Sequence, residues 1–394
     1  MSPQSGRSQG EEASPLVHYN PFDPVTQRDP YPAYARLRAE SPLYHHAELD
    51  FYALSRHADV CAALRDHERF SSSHGVTLEL WSPDAARLQG LLAMDPPAHT
   101  DLRKVVSGGF TPRRVAELEP MIRALTRQLL DEPLAAGSFD LARWTARIPA
   151  RVVAELIGVP AHDHERMQRL TETLVSPAGQ DEFWSAAADA VTYLGALLDE
   201  RQRCPRDDLA GVLAGGAGLT DEERVAVLGV VTTAGNESSS KVMTNALVHA
   251  WLNQEQRAKA WSGGISGWVE ETLRYDGGGQ LVARRVTRDT EMYGRVVPAG
   301  ARMLLLVACA NRDDRVFPGG ERYDIGRDTG AAIAFGAGRH FCLGASLARL
   351  MIRVVLEEFV SAVADYEVDL ESGVFALSPN VRGYRELQVS VKPR

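Results

Sequence analysis

Lysine is nearly absent. Only four of the 43 basic residues are Lys (Lys104, Lys241, Lys259 and Lys392), and the 52 acidic residues leave a net charge of −9. There is no global pull toward nucleic acid or an anionic membrane. Cysteine is scarce as well. Cys61, Cys204, Cys309 and Cys342 do not make a disulfide framework. None stands in a Cys-x-x-Cys pair, which argues against a zinc site. Long apolar runs are missing too. The most apolar short run, Met303 to Ala310, falls far below the roughly 20 residues that span a bilayer. The polar start, Met1 to Ala13, has no apolar stretch of the kind a secretion signal needs. A protein of the reducing cytoplasm with no membrane anchor is the expectation. No nucleic-acid motif and no 20–50-residue repeat is present.

At 394 residues, with 44% apolar and 24% charged side chains, the chain exceeds the usual single-core size. Residues 1–14 read as disordered and 15–394 as one domain, mainly α with small β sheets. The α-rich parts fall at about 90–275 and 343–362. The β-rich parts fall at about 30–60 and 280–310, with a C-terminal hairpin strand over Leu387–Val391. Pro21–Pro30 reads as irregular, Pro32–Arg38 and Ala58–Leu64 as helices, and Phe51–Leu54 as a strand. Thr111-Pro112 is a helix start. Thr220-Asp221-Glu222-Glu223 is a capping box, and it opens a long helix to about Trp251. That helix is apolar on nearly every face, which places it in the middle of the molecule.

The strongest chemical signal is Phe335-Gly336-Ala337-Gly338-Arg339-His340-Phe341-Cys342-Leu343-Gly344, ahead of an amphipathic helix, Ala345–Phe359. A turn permitted by Gly336 and Gly338 presents a sulfur at a helix N-terminus, where N–H groups and the helix dipole favour thiolate. Phe335 can shield that sulfur from water. A lone thiolate with open coordination opposite suits haem iron. As a nucleotide loop the stretch lacks the third Gly and the Lys-Ser/Thr.

This stretch resembles the haem-binding signature of the cytochromes P450 (Phe-x-x-Gly-x-x-x-Cys-x-Gly), and the resemblance runs from about Pro21 to the end. It implies a triangular, mostly helical fold with a small β part. Haem b lies between the long central helix and the helix after the Cys loop, with Cys342 as axial ligand and Phe335, Gly336 and Gly344 around it. Glu271-Thr272-Leu273-Arg274 resembles the family's structural Glu–Arg pair, which the resemblance completes with Arg322. Within Ala234-Gly235-Asn236-Glu237-Ser238-Ser239, small Ala234 and Gly235 admit a flat ring and dioxygen. Glu237 and Ser238 take the place of the family's acid and Thr as proton relay. Ser keeps the hydroxyl but loses the methyl that fixes its rotamer, and back-bonding within the helix is the plain alternative.

Haem brings two carboxylates, which need cations. His99 and Arg103, at i and i+4 on one helix face, together with Arg284 and His340, match the family's propionate anchors; Arg285 is the alternative to Arg284. By analogy, substrate contacts come from Val230, Thr233, Gln280, Val282 and Asn380, with the segment Ser71–Leu92 as a lid. Gly277-Gly278-Gly279 stands where relatives often carry Pro. The implied activity is a haem-thiolate monooxygenase. It inserts one oxygen atom of O2 into a bulky lipophilic molecule, by hydroxylation or epoxidation. A macrolide or other polyketide of secondary metabolism and antibiotic biosynthesis is the first reading, a sterol or terpenoid the rival. Peroxide use or oxidative coupling, and a haem-binding sensor, are the remaining alternatives. Electrons come from NAD(P)H through a ferredoxin reductase and a ferredoxin, the latter docking on a basic patch of Lys104, Arg113, Arg114, Arg339 and Arg349.

Overall fold

The computed structural model describes residues 17–175 and 179–394, so the expected disorder of 1–14 lies outside the described residues. The organising element is a 32-residue helix, Asp221–Leu252. The capping box forms as expected. Thr220 Oγ1 accepts from Glu223 N at 3.2 Å, and the Glu223 carboxylate accepts from Thr220 N at 2.8 Å. This satisfies two of the amides a helix start leaves open. Beyond the first turn the helix is buried nearly all round, through Val227, Leu228, Val230, Val242, Met243, Ala246 and Leu247.

Helices Leu141–Ile157, Ile265–Asp276 and Ala345–Ala362 pack against it. Glu119–Ala136 packs on Ala345–Ala362, and together these elements enclose the largest core. Trp268, fully buried, donates its indole N–H to Ala246 O at 3.0 Å and locks Ile265–Asp276 to the central helix. A second core forms where Ala98–Ser107 and Gln180–Arg203 meet the front half of the central helix.

The β part is a five-stranded sheet of Leu43–His46, Phe51–Leu54, Arg302–Leu305, Val282–Val286 and Phe70–Ser71, in that spatial order. Phe51–Leu54 runs parallel to Arg302–Leu305 with Tyr52 opposite Met303; the other neighbours are antiparallel. The C-terminal strand Tyr384–Pro393 pairs with Val363–Phe375 on one side and Ser138–Asp140 on the other. Among the described residues no helix is long and apolar enough to cross a membrane, and all four cysteines are free.

Three local expectations are corrected. Pro21–Pro30 holds a short helix, Pro24–Arg28, because Asp23 caps it and Pro24 opens it. The β part expected at about 280–310 ends at Leu305; Val307–Ala310 is a helical turn whose Cys309 carbonyl accepts from Arg38 and whose thiol donates to Tyr34 O. Finally, the structural Glu–Arg pair is completed by Arg327 and not by Arg322. Arg274 donates twice to Glu271 at 2.7 Å, and both side chains are buried. Arg322 gives this cluster only its carbonyl, which accepts from Arg274 at 3.3 Å. A residue whose carbonyl faces inward in this turn sends its side chain outward, and that of Arg322 is 75% exposed. Arg327 returns to the cluster, with its Nε 3.5 Å from Glu271 and a side chain only 9% exposed.

A cavity between the central helix and the cysteine loop

One cavity has a chemically unusual wall. Its volume is about 320 Å³, and most of its lining residues are apolar. The central helix contributes a stripe at helical spacing: Val230 and Val231, Ala234 and Gly235, Ser238 and Ser239, then Val242. The opposite wall is Leu347, Ala348, Met351 and Ile352 of Ala345–Ala362. The cysteine loop closes the floor with Phe335, Gly336, His340, Cys342 and Gly344.

The loop is built from its glycines. Gly338 has φ +70°, and a Cβ there would come within 2.9 Å of Leu64 O and 3.0 Å of Arg65 Cα. The loop therefore lies directly on the end of helix His57–Arg65. Cys342 N donates to Phe335 O at 2.8 Å, which folds the loop back under its own start. The Cys342 side chain opens onto the cavity. Burial pushes its thiol pKa up, against the Gly344 N–H and the charges of Arg103 and Arg349, which favour the thiolate. Arg349 also lies over the Phe335 ring at 4.6 Å and is held there by a bidentate pair with Glu270, at 2.6 and 2.9 Å.

Basic groups gather at one end of the cavity. Arg103 and Arg284 line it beside His340, and the His99 and His340 rings are 4.2 Å apart. His99 is buried with neither ring nitrogen partnered. Arg284 is buried with its NH1 on Ala283 O at 2.7 Å, and burial pulls its pKa down to about 10, against the charge of Asp95. Burial, then Arg284, His99 and Arg103, hold His340 down to about 3. Burial and Arg103 likewise lower the pKa of His99. Asp95 is engaged by Ser71 Oγ and by Ser72 N, the latter at 2.9 Å. Arg103, buried Arg284 and His340, whose Nε2 is bonded to Ser72 Oγ at 3.2 Å, line this end of the cavity with unpartnered His99 packed behind His340, and such a set favours an anionic guest. A flat group with two carboxylates and a metal that takes sulfur fits this donor set.

The other expected contacts divide. Val230 and Val282 line the cavity; Thr233, Gln280 and Asn380 do not. The Thr233 hydroxyl is tied back to Gly229 O at 3.0 Å. The Gln280 side chain instead accepts from Tyr34 OH at 3.3 Å, while Leu281 and Val282 line the cavity. Asn380 Nδ2 instead holds the carboxylate of Glu79, in the segment 71–92, at 3.1 and 3.2 Å. Ser238 lies on the cavity stripe and donates to Ala234 O at 2.9 Å, the back-bonded arrangement. Glu237 is not a lining residue. Burial pushes its carboxyl up to about 7, opposed by the charge of Lys241. Within the expected basic patch, Arg113 pairs with Glu117, Arg114 with Asp207 and Arg349 with Glu270, while Lys104, Arg113 and Arg339 are its exposed residues. Sequence reading missed Arg327, which nothing in the local pattern ranks above Arg322. It also passed over Lys241, whose signal is its rarity in a chain that otherwise uses Arg.

A cysteine loop and one long helix lining an apolar cavity, with cations at one end, have the make-up that a haem-thiolate protein needs. The comparisons agree. The cytochrome P450 family model matches residues 266–372. Cytochrome P450 123 of Mycobacterium tuberculosis is 40% identical over 96% of this chain and 98% of that protein. The vitamin D(3) 25-hydroxylase of Pseudonocardia autotrophica is 35% identical over 95% and 96%. The solved structure of cytochrome P450 CYP109Q5 from Chondromyces apiculatus superposes with a TM-score of 0.87 at 31% identity, covering 95% of this chain and 98% of that one. The chain belongs to the cytochrome P450 family. It is a monooxygenase of that family, using haem and O2, with the family's mainly α fold.

Proposed function

We propose that Cys342 ligates the haem iron and that His99, Arg103, Arg284 and His340 hold the propionates. On this reading the enzyme inserts one oxygen atom into a bulky lipophilic small molecule. The observation that carries it is one continuous cavity, apolar along Val230, Val231, Leu281 and Val282, with the Cys342 sulfur on its floor. Haem held there supplies the binding and activation of O2. The chain supplies the rest. Phe335 and Leu347 keep water from the sulfur. Ala234 and Gly235 leave room over the ring. Ser238 offers a hydroxyl on the cavity wall, and Glu237, with a pKa near the working pH, gives and takes protons behind it. Electrons come from NAD(P)H through a ferredoxin and its reductase, since the sequence shows no flavin or iron–sulfur motif of its own.

A macrolide or similar polyketide of secondary metabolism suits the cavity. A sterol-like or secosteroid substrate is favoured by a specific relative, the vitamin D(3) 25-hydroxylase. Titrating the ferric enzyme with a panel of macrolides, steroids and vitamin D3, and following the low-to-high-spin Soret shift, separates the two. Saturable shifts with macrolides alone support the first reading, and shifts with the steroid set alone overturn it.

A further inference from the structure

Glu237 and Lys241 stand one turn apart on the central helix and share a face. Neither lines the cavity. Lys241 meets the C-terminal hairpin instead, where its Nζ donates to Tyr384 O at 2.7 Å. The backbone leaves a slot for the lysine stem. A Cβ on Gly383 would lie 2.7 Å from Lys241 Cβ, and one on Gly278 would lie 3.7 Å from it. The stem is therefore walled on two sides and the ammonium is tied at its tip. The other titratable and charged groups acting on the lysine are Asp140, at the start of helix Leu141–Ile157, and Arg385 on the hairpin, with the Tyr384 phenol on the same strand. Lys241 is the charged group that acts on Glu237.

We propose that Lys241 is a positioning residue for Glu237: pinned to the Tyr384 carbonyl, its ammonium sets the pH at which the buried carboxyl releases its proton. Burial raises the Glu237 pKa because a carboxylate loses hydration there, and a fixed positive charge one turn away offsets part of that loss. A freely moving lysine would screen itself with water; this one is held. The inference concerns the charge state of Glu237, and it rests on the relay reading above only for its effect on turnover.

The test is an infrared pH titration of the ferric holoenzyme, with the Glu237 carboxyl band identified by its loss in Glu237→Gln. The wild-type band is expected to titrate at about 7. Lys241→Gln keeps a donor for Tyr384 O but removes the charge, and it moves the midpoint up by about one pH unit or more. Lys241→Arg returns it toward the wild-type value. Lys241→Met serves if the Gln variant fails to load haem. An unchanged midpoint in the neutral variants, or no Glu237-dependent band, overturns the proposal. Peroxide release during NADPH-driven turnover is measured alongside. If its pH midpoint shifts with the infrared band, the relay reading stands as well. If the band shifts and peroxide release does not, the relay reading fails and the role of Lys241 holds.

Discussion

Arg322 and Arg327 lie five positions apart in one turn, and the structure gives them opposite fates. Arg327 donates to Pro318 O at 2.7 Å, to Gly319 O at 2.9 Å and to Arg322 O at 3.2 Å, beside its approach to Glu271. Removing it in Arg327→Ala strips charged donors from three carbonyls and leaves Glu271 to Arg274 and the Asp324 N–H. Hydrogen bonds from charged groups contribute about 1.5–3 kcal/mol each and do not add fully, so a loss of about 3 kcal/mol is expected. Against a typical folding stability of about 5–15 kcal/mol that is a large fraction. Arg322→Ala removes an exposed side chain with one 3.8 Å contact to Asp324 and changes stability by less than about 0.5 kcal/mol. Urea titration of the holoenzymes, read by tryptophan fluorescence and Soret absorbance together, measures both. Arg327→Ala should lower the midpoint and shed haem earlier, while Arg322→Ala overlays wild type. Equal losses in the two variants, or a larger loss in Arg322→Ala, would refute the assignment.

The remaining predictions concern the cavity. Cys342→Ser should lose the strongly red-shifted Soret band of the ferrous–CO complex; a variant that keeps it removes the sulfur from the iron. Gly338→Ala forces a Cβ to within 2.9 Å of Leu64 O at a positive φ, so haem content of the purified protein should fall, and full loading would show that the loop can shift. Glu237 is protonated below about 7 and charged above it, so peroxide release should rise as pH climbs through that value. A flat profile from about pH 6 to 8.5 counts against a proton-donating role. Ser238→Ala removes only a bond to Ala234 O in its own helix. It should leave stability within about 0.5 kcal/mol while increasing peroxide release, and unchanged release would mean the hydroxyl only back-bonds.

The sequence made legible what depends on local spacing. The capping box at Thr220 forms as written, and the cysteine loop forms the floor of a cavity whose cations lie within reach of one another. What depends on how a turn faces was not legible. Nothing in Gly320–Arg327 tells which arginine turns inward, since that follows from a carbonyl that Arg274 needs. The direction of Gln280 was hidden for the same reason: its backbone pairs with Asn380 O, and its side chain goes to the Tyr34 side. Glu237 was singled out as an acid beside a hydroxyl, but neighbours in sequence stand about 100° apart on a helix. That rotation carries Glu237 off the cavity stripe and toward Lys241.

The rotation has a consequence for how such an enzyme diversifies. Positions 230, 231, 234, 235, 238, 239 and 242 line the cavity, while Glu237 lies off that stripe and Lys241 is tied to the hairpin. Within the first set, selection for a new substrate acts on Val230 and Val231, since Ala234, Gly235 and Ser238 serve the ring and the relay. It can enlarge, shrink or reshape the wall there and leave the Lys241–Tyr384 tether alone. One helix thus keeps two jobs on separate registers, so substrate range can drift while the acid behind the wall keeps its setting.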